Sequence, residues 1–524
     1  MPPDAAVDHS LSMRRFHVSD YRQYRLLEIL PGALVWATFV LAIVLSFVVP
    51  LWVIGFIIVF DFFWLVRVLY ILGFLMVAFT RFRRDERIDW LARTTTLLNW
   101  QRLHHLIVVP TFRESREVLD TTFRCLTEST YPLDSMIVVL ACEERDRENA
   151  TSNGEWLRER YGHRFRHFLV TIHPSGRPGE MPGKGSNIAW AGRRAKEWID
   201  EQGLVYDDIV VSSFDADTCV HPHYFSYLSY TYLTHPAPTR TSYQPIPLFN
   251  NNIWDAPALM RVVANSTTFW LMSETLRPDR LFTFSSHSMS FRALVDVDFW
   301  QDDIVTEDSR IFLQCLIRYD GNYTVTPMYI PLSMDTVLGA TWQRSLVNQY
   351  KQQRRWAYGV ENFPYMVWNF RANPLIPLGK KIKYIWNQVE GVYSWATAPI
   401  LIFILGRLPL WVANQPGSPI RDLAIVQTAP ELLLRLMQAA MIGLLVSALL
   451  STIILPPRPK RHHWLKFPLM LLQWVLFPIT MVAFGSIPAT EAQTRLMLGK
   501  YLGFWVTEKA RHPATPPTLS TQPR

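Results

Sequence analysis

The chain has 524 residues, 49% hydrophobic and only 18% charged, and its mean hydropathy is +0.07. That is too apolar for an ordinary soluble protein and asks for a large globular domain joined to membrane segments. The net charge of +8 comes from Lys and Arg gathered beside apolar stretches, which suits an anionic membrane face and argues against nucleic acid as a partner.

Residues 1–29 form a polar N-terminal segment with no signal-peptide pattern. Residues 30–80 are almost continuously apolar, about twice the ~20 residues that cross hydrocarbon once, and Pro50 divides them into two expected transmembrane helices. Arg14, Arg15, Arg22 and Arg25 precede the pair and Arg81, Arg83 and Arg84 follow it, so the positive-inside rule puts both flanks, and the region 81–377, in the cytosol. Asp61 and Arg67 interrupt the second span; such charges either face a protein interior or mark the helix end.

Within 81–377 the short β-branched runs at 106–110, 136–140 and 208–212 are each followed by polar residues and separated by helix-like stretches. That alternation predicts parallel strands with crossovers, an α/β domain whose ligands bind at the carboxyl ends of the strands. Lys380, Lys381, Lys383, Tyr384 and Trp386 make 378–394 a basic, aromatic helix on the membrane surface. Residues 395–487 hold two to three transmembrane or re-entrant helices, the last broken by Pro468, Pro478 and Pro488. A segment at 488–511 and a disordered tail at 512–524 complete the chain. Cys125, Cys142, Cys219 and Cys315 form no C-x-x-C pair and read as reduced thiols, and the His104-His105 and His462-His463 pairs read as surface pairs.

Four groups of residues carry chemistry. Asp215-Ala216-Asp217 follows a strand-like run; the pair is either an exposed turn or a seat for Mg²⁺ or Mn²⁺, which needs one or two protein carboxylates when phosphates complete the shell. Thr306-Glu307-Asp308 precedes an apolar-periodic stretch; Thr306 then caps a helix with acids favoured by the dipole, and Asp308, with Glu307 beside it, is placed to act as a general base. Gln352, Arg355 and Trp356 fall at i, i+3 and i+4 of a predicted helix. They are either part of a solvated basic face or a set in which the guanidinium pairs with a diphosphate and the indole stacks on a sugar. Lys184, flanked by Gly183 and Gly185 before a helix-like stretch, is a candidate phosphate contact without P-loop spacing.

In this order, D-x-D, T-E-D and Q-x-x-R-W resemble the processive family 2 glycosyltransferases of the cellulose, chitin and hyaluronan synthase group, over residues 106–359. The resemblance implies a GT-A, Rossmann-like cytosolic glycosyltransferase domain combined with α-helical transmembrane segments, in a plasma-membrane enzyme that polymerises a UDP-linked or other nucleotide sugar into a growing polysaccharide. It implies inversion at the sugar and a divalent metal at Asp215 and Asp217. It places Thr111 in the first nucleotide-binding loop, Glu143 and Glu144 where the family usually has an aspartate at the nucleoside, Lys184 in a G-K-x-x-N pattern, and His287 with Ser285 and Ser286 at the acceptor end. Phe504, Val506, Thr507 and Lys509 look like the family's gating loop, F-x-V-T-x-K. The readings of other kinds are a non-processive transfer to a lipid or other membrane acceptor, and a catalytically silent nucleotide-sugar-binding subunit.

Overall fold

The computed structural model describes residues 18–503, so the gating-loop-like Phe504, Val506, Thr507 and Lys509 lie outside the described residues. The cytosol-assigned region folds around one eight-stranded sheet: β1 (His104–Thr111), β2 (Met136–Glu143), β3 (His167–His173), β4 (Ile209–Ser213), β5 (Cys219–Val220), β6 (Thr241–Phe249), β7 (His287–Ser290) and β8 (Thr324–Met334). Their order is β3-β2-β1-β4-β7-β6-β8-β5. The three β-branched runs of the sequence are β1, β2 and β4. These strands are parallel neighbours, with Val108 level with Ser213 and Thr111 level with Cys142. They show no in/out alternation because helices cover both faces, and every residue of β2 and β4 is buried.

β7 ends the parallel run. It pairs antiparallel with β4, and its first residue, His287, lies level with Ser213 at the end of β4. The carboxyl ends of β1, β2 and β4 therefore meet the start of β7 along one edge, the crevice where open α/β sheets bind ligands.

The long apolar helices pack against this domain, Leu75, Ala78 and Phe82 sharing a core with Ile246 and Leu248 of β6. α1 (Val18–Val48) and α2 (Pro50–Asp85) are separated at Pro50, the first residue of α2, where a missing N–H costs nothing. Four helices are long and apolar enough to cross a membrane, and a fifth candidate is the pair Leu378–Phe403 and Leu405–Ala413, bent by 42°. Their outer faces are apolar, as lipid contact requires; Trp52, Phe56, Phe62 and Leu445 are all exposed. α2 runs unbroken through Asp61 and Arg67, Asp61 is buried, and Arg67 pairs with Glu390 of helix Leu378–Phe403. Both charges thus face a protein interior. The change expected at 394–395 from surface helix to span falls inside the single helix Leu378–Phe403.

The last apolar segment, Lys466–Met497, has 32 residues and would qualify as a span by length and composition. It bonds and packs partly to the α/β domain and partly to the other apolar helices, and several of its apolar side chains, among them Leu472, Val475 and Ile479, are exposed. Lys466 Nζ donates to Trp254 O, Gln473 Oε1 accepts from Arg261 Nε at 2.7 Å, and Trp474 stacks on Phe269. Phe484 packs with Ala256, Met260, Val263 and Val337, and Leu496 with Val305 and Tyr358.

One expectation fails here. His105 is not on the surface: it is fully buried on β1, where its Nε2 meets Ser229 Oγ at 2.8 Å. Burial, with a small contribution from His104, lowers its pKa to about 3. A histidine on a strand covered on both faces goes inward whatever its neighbour does. His462 is tied to Asp255 at 2.9 Å. All four cysteines are buried and unpaired with one another.

Candidate active site

Lys184 is the first residue of helix Lys184–Glu201, and its ammonium reaches three acids. Nζ lies 2.8 Å from Asp215 Oδ1, 2.8 Å from Asp308 Oδ2 and 3.9 Å from Glu307 Oε1. Asp215 leaves the end of β4, and Glu307 opens helix Glu307–Arg318. The two helices approach closely because of Gly185: a Cβ there would sit 2.9 Å from Gln301 O and 3.3 Å from Glu307 Cβ. The D-x-D and T-E-D motifs, 91 residues apart when counted from Asp217 to Asp308 in the numbering, are joined by one lysine.

The electrostatics follow from this packing. Burial opposes a charge on Lys184, but Asp215, Asp308 and Glu307 together outweigh it and hold the ammonium above the usual lysine range. Glu307, equally buried and beside Asp308, is pushed up to about 8, against the opposing pull of Lys184 and Arg355. One ammonium thus faces three acids. Asp215 Oδ2 accepts from Ser285 Oγ at 2.5 Å.

His287 lies buried beside this cluster. Its Nδ1 is 3.1 Å from Phe284 O, which can only accept, so the proton sits on Nδ1. Nε2 has no hydrogen-bond partner among the described residues. Burial lowers the pKa of the ring, and Lys184 adds to that effect against Asp308 and Asp215.

Asp217 turns to a second neighbourhood. Its Oδ2 accepts from the backbone N–H of Asp335, just past the end of β8, at 3.0 Å. Asp335 and Thr336 line a cleft with Phe249, Gln352 and Trp356. The Q-x-x-R-W motif is on a helix, Trp342–Ala357, as its spacing predicts. Trp356 sits 5.8 Å from the Phe249 ring, and the charge of Arg355 is felt by Glu307. The motif thus spans the cleft beside Asp217 and the acids of the lysine cluster.

Thr111, Glu143 and Glu144 form another group on the same sheet edge. Thr111 and Glu143 are buried at the ends of β1 and β2. Glu143 accepts from Arg145 Nε at 2.9 Å, and Arg145 lies 4.6 Å from the Phe112 ring. Glu144 accepts from Ser175 N at 2.9 Å and from Arg147; those bonds, the backbone one first, lower its pKa to about 2.

Several residues of the site escape sequence reasoning. Thr306 occupies the N-cap position of its helix but makes no side-chain cap; its Oγ1 donates to Glu361 Oε1 at 2.5 Å instead. Burial raises the pKa of Glu361 to about 7, with Arg310 opposing. Asp335 had a signal, an acid directly after a strand as in Asp215, whereas Glu361 had none. Among the described residues no group of three or more His, Cys, Asp or Glu is arranged to hold a metal ion by itself. Asp215 is held by Lys184 and Ser285, and Asp217 by the backbone of Asp335.

A family model for glycosyl transferase family group 2 matches residues 210–487, just over half of the chain. The chain belongs to that family. The match starts within β4 and takes in both acidic motifs, the Q-x-x-R-W helix and most of the later apolar segments. No curated protein matches the chain. Among solved structures, a mannosyltransferase from Pyrobaculum calidifontis in complex with GDP-Man and Mn²⁺ is 14% identical, with 71% of this chain and 99% of that one covered and a TM-score of 0.41. S. aureus TarS 1–349 is 10% identical, with 67% and 91% covered and a TM-score of 0.34. The domain is a mixed α/β sheet of the GT-A kind accompanied by apolar helices.

Proposed function

We propose that this glycosyltransferase is a membrane-embedded, inverting enzyme that extends a polysaccharide from a cytosolic nucleotide sugar, UDP-linked by its family resemblance. The observation that carries the reading is the lysine bridge: Lys184 brings Asp215 and Asp308 to one point, next to a cleft lined by Gln352 and Trp356.

The residues divide the work as follows. Thr111, Glu143 and Glu144 receive the nucleoside at the ends of β1 and β2. Asp215 and Asp217 hold Mg²⁺ or Mn²⁺, which would neutralise the departing diphosphate as a Lewis acid. Arg355 pairs with diphosphate oxygens through its planar fork, and Trp356 with Gln352 receives the acceptor sugar. Asp308 takes the proton from the acceptor hydroxyl as it attacks the anomeric carbon. In the described state both oxygens of Asp308 accept from Lys184, at 3.0 and 2.8 Å, and an ammonium-bound carboxylate is a weak base. Incoming diphosphate oxygens compete for that ammonium, so donor binding frees the base when it is needed. His287, neutral with its acceptor nitrogen at Nε2, suits a hydroxyl donor rather than a phosphate.

The packing of Lys466–Met497 supports a topology of four crossings. α1, α2, the bent pair Leu378–Ala413 and Ala424–Ile453 cross, and Lys466–Met497 lies along the catalytic domain. Both flanks and the domain then share the cytosolic side, and Phe504, Val506, Thr507 and Lys509 follow Leu502, which packs with Val305 and Tyr358 near the T-E-D motif.

The test is nucleotide release by the purified protein from a panel of sugar donors, followed by sizing of the product. A polymer ladder is expected. A single glycolipid would replace polymerisation with one-step transfer, and silence with every donor would remove the enzyme reading.

A further inference from the structure

Helix Ile487–Met497 carries an acid that the chemistry above does not use. Glu491 Oε1 accepts from Arg354 Nη1 at 2.6 Å and from Arg495 Nε at 2.7 Å, while Oε2 accepts from Tyr350 OH at 2.6 Å. Tyr350 and Arg354 are one turn apart on the helix that bears the Q-x-x-R-W motif. At about 100° per residue they lie nearly opposite Gln352, Arg355 and Trp356. Glu491 therefore grips the back of the helix whose front lines the cleft.

The gripping helix is itself anchored to the membrane bundle. Gln493 Nε2 donates to Val392 O at 2.8 Å, and Thr494 Oγ1 accepts from Trp36 Nε1 at 2.8 Å. Arg25 of α1 donates to Leu496 O at 2.7 Å and to Met497 O at 2.5 Å. A continuous set of bonds thus runs from α1 and Leu378–Phe403, through Glu491, to the back of the Q-x-x-R-W helix.

We infer that Glu491 is a positioning residue for the transfer reaction: it fixes the rotation of helix Trp342–Ala357, and so the placement of Arg355 and Trp356 over the cleft, relative to the membrane helices. This rests on the function proposed above. Two partners across the helix pair, Tyr350 and Arg354, with Arg495 holding the carboxylate from its own helix, define an orientation that packing of a cylindrical helix leaves free, and small misplacements of binding groups weigh heavily on rate.

The experiment compares Glu491→Gln, Tyr350→Phe and Glu491→Asp with the full-length enzyme in detergent or nanodiscs, reading kcat, the KM for the nucleotide sugar and the thermal midpoint. Glu491→Gln is expected to lower kcat/KM on the order of 10- to 100-fold, mostly through KM, with the midpoint little moved. Tyr350→Phe should follow in the same direction by a smaller factor, and Glu491→Asp should recover part of the loss. Glu431→Gln, in an exposed pair with Arg435, should change nothing. Unaltered kinetics in Glu491→Gln overturn the inference, as does a loss that falls on kcat alone and tracks the thermal midpoint. Should Glu491→Gln fail to fold, an unchanged KM in Tyr350→Phe overturns it equally. A wild-type enzyme that releases no nucleotide from any donor refutes the functional reading instead, which keeps the two failures distinct.

Discussion

Lys184 and Glu491 are the hubs of two ion clusters with opposite charge balance. Lys184 is one buried ammonium facing Asp215, Glu307 and Asp308; Glu491 is one carboxylate facing Arg354, Arg495 and a phenol. In the first, the acids outnumber their cation in a place where unpaired charge is costly, so further positive charge is welcome and the lysine has alternatives to exchange. In the second, both carboxylate oxygens accept from donors, and the cations outnumber the acid. A charge-deficient cluster suits a site that must change partners during turnover, and a saturated one suits a joint that must not.

The contrast can be broken most sharply at Asp308. Asp308→Asn should reduce transfer by about 10²- to 10⁴-fold, the usual share of a general base, while nucleotide diphosphate still binds by calorimetry. Full turnover would remove Asp308 from the chemistry. Lys184→Met should act on the fold: it strands three acids, and breaking a buried pair from one side costs about 3–5 kcal/mol, visible as a large fall in the denaturation midpoint. An unchanged midpoint would mean that the acids find other partners and that the cluster is less closed than its geometry says. Gly185→Ala is a milder probe, since its Cβ would meet Gln301 O at 2.9 Å; overpacking of this kind costs about 1–3 kcal/mol and should push the T-E-D helix away from Lys184, lowering activity more than stability.

The smallest expected effect is a slope with pH. The carboxyl of Glu307 titrates near 4.5 when unfolded and at about 8 in the fold. Between those values the native state keeps a proton that the unfolded chain has released, so this group's stabilisation is complete below the lower value and fades as pH rises through the upper one. Glu307→Gln should flatten the alkaline decline of the thermal midpoint. Glu361, raised to about 7 by burial, contributes with the same sign, so the flattening is partial. Parallel profiles for the variant and the wild type would show that Glu307 is not held protonated.

The strands β1, β2 and β4 were legible because a doubly covered parallel strand has no polar face to hide and shows as an uninterrupted β-branched run. The motifs stood out because each sets chemically able side chains at short spacing, and the fold brings D-x-D and T-E-D together on Lys184. What lay beyond reading was contact over long sequence distance. Nothing local says that Thr306 will prefer Glu361 to its own helix end, that Asp217 will lean on Asp335, or that Arg354 will spend its charge on Glu491 rather than on solvent. His105 misled for the complementary reason: two adjacent histidines look like a polar pair, but in a strand neighbouring side chains point to opposite faces. Lys466–Met497 shows the limit of hydropathy, since a segment apolar enough to cross a membrane also bonds to Trp254 and Arg261 of the α/β domain, which composition does not foretell.

Burial of the four cysteines bears on how the remaining topology can be addressed. Cys125, Cys142, Cys219 and Cys315 are each almost wholly shielded from solvent, and burial pushes the thiols of Cys142 and Cys315 up to about 12, so the reactive thiolate is scarce at neutral pH. The natural protein is therefore close to a silent background for thiol chemistry. A cysteine introduced at Glu508, or in the turn between α1 and α2, would report its own side of a sealed vesicle against almost no signal from the rest of the chain.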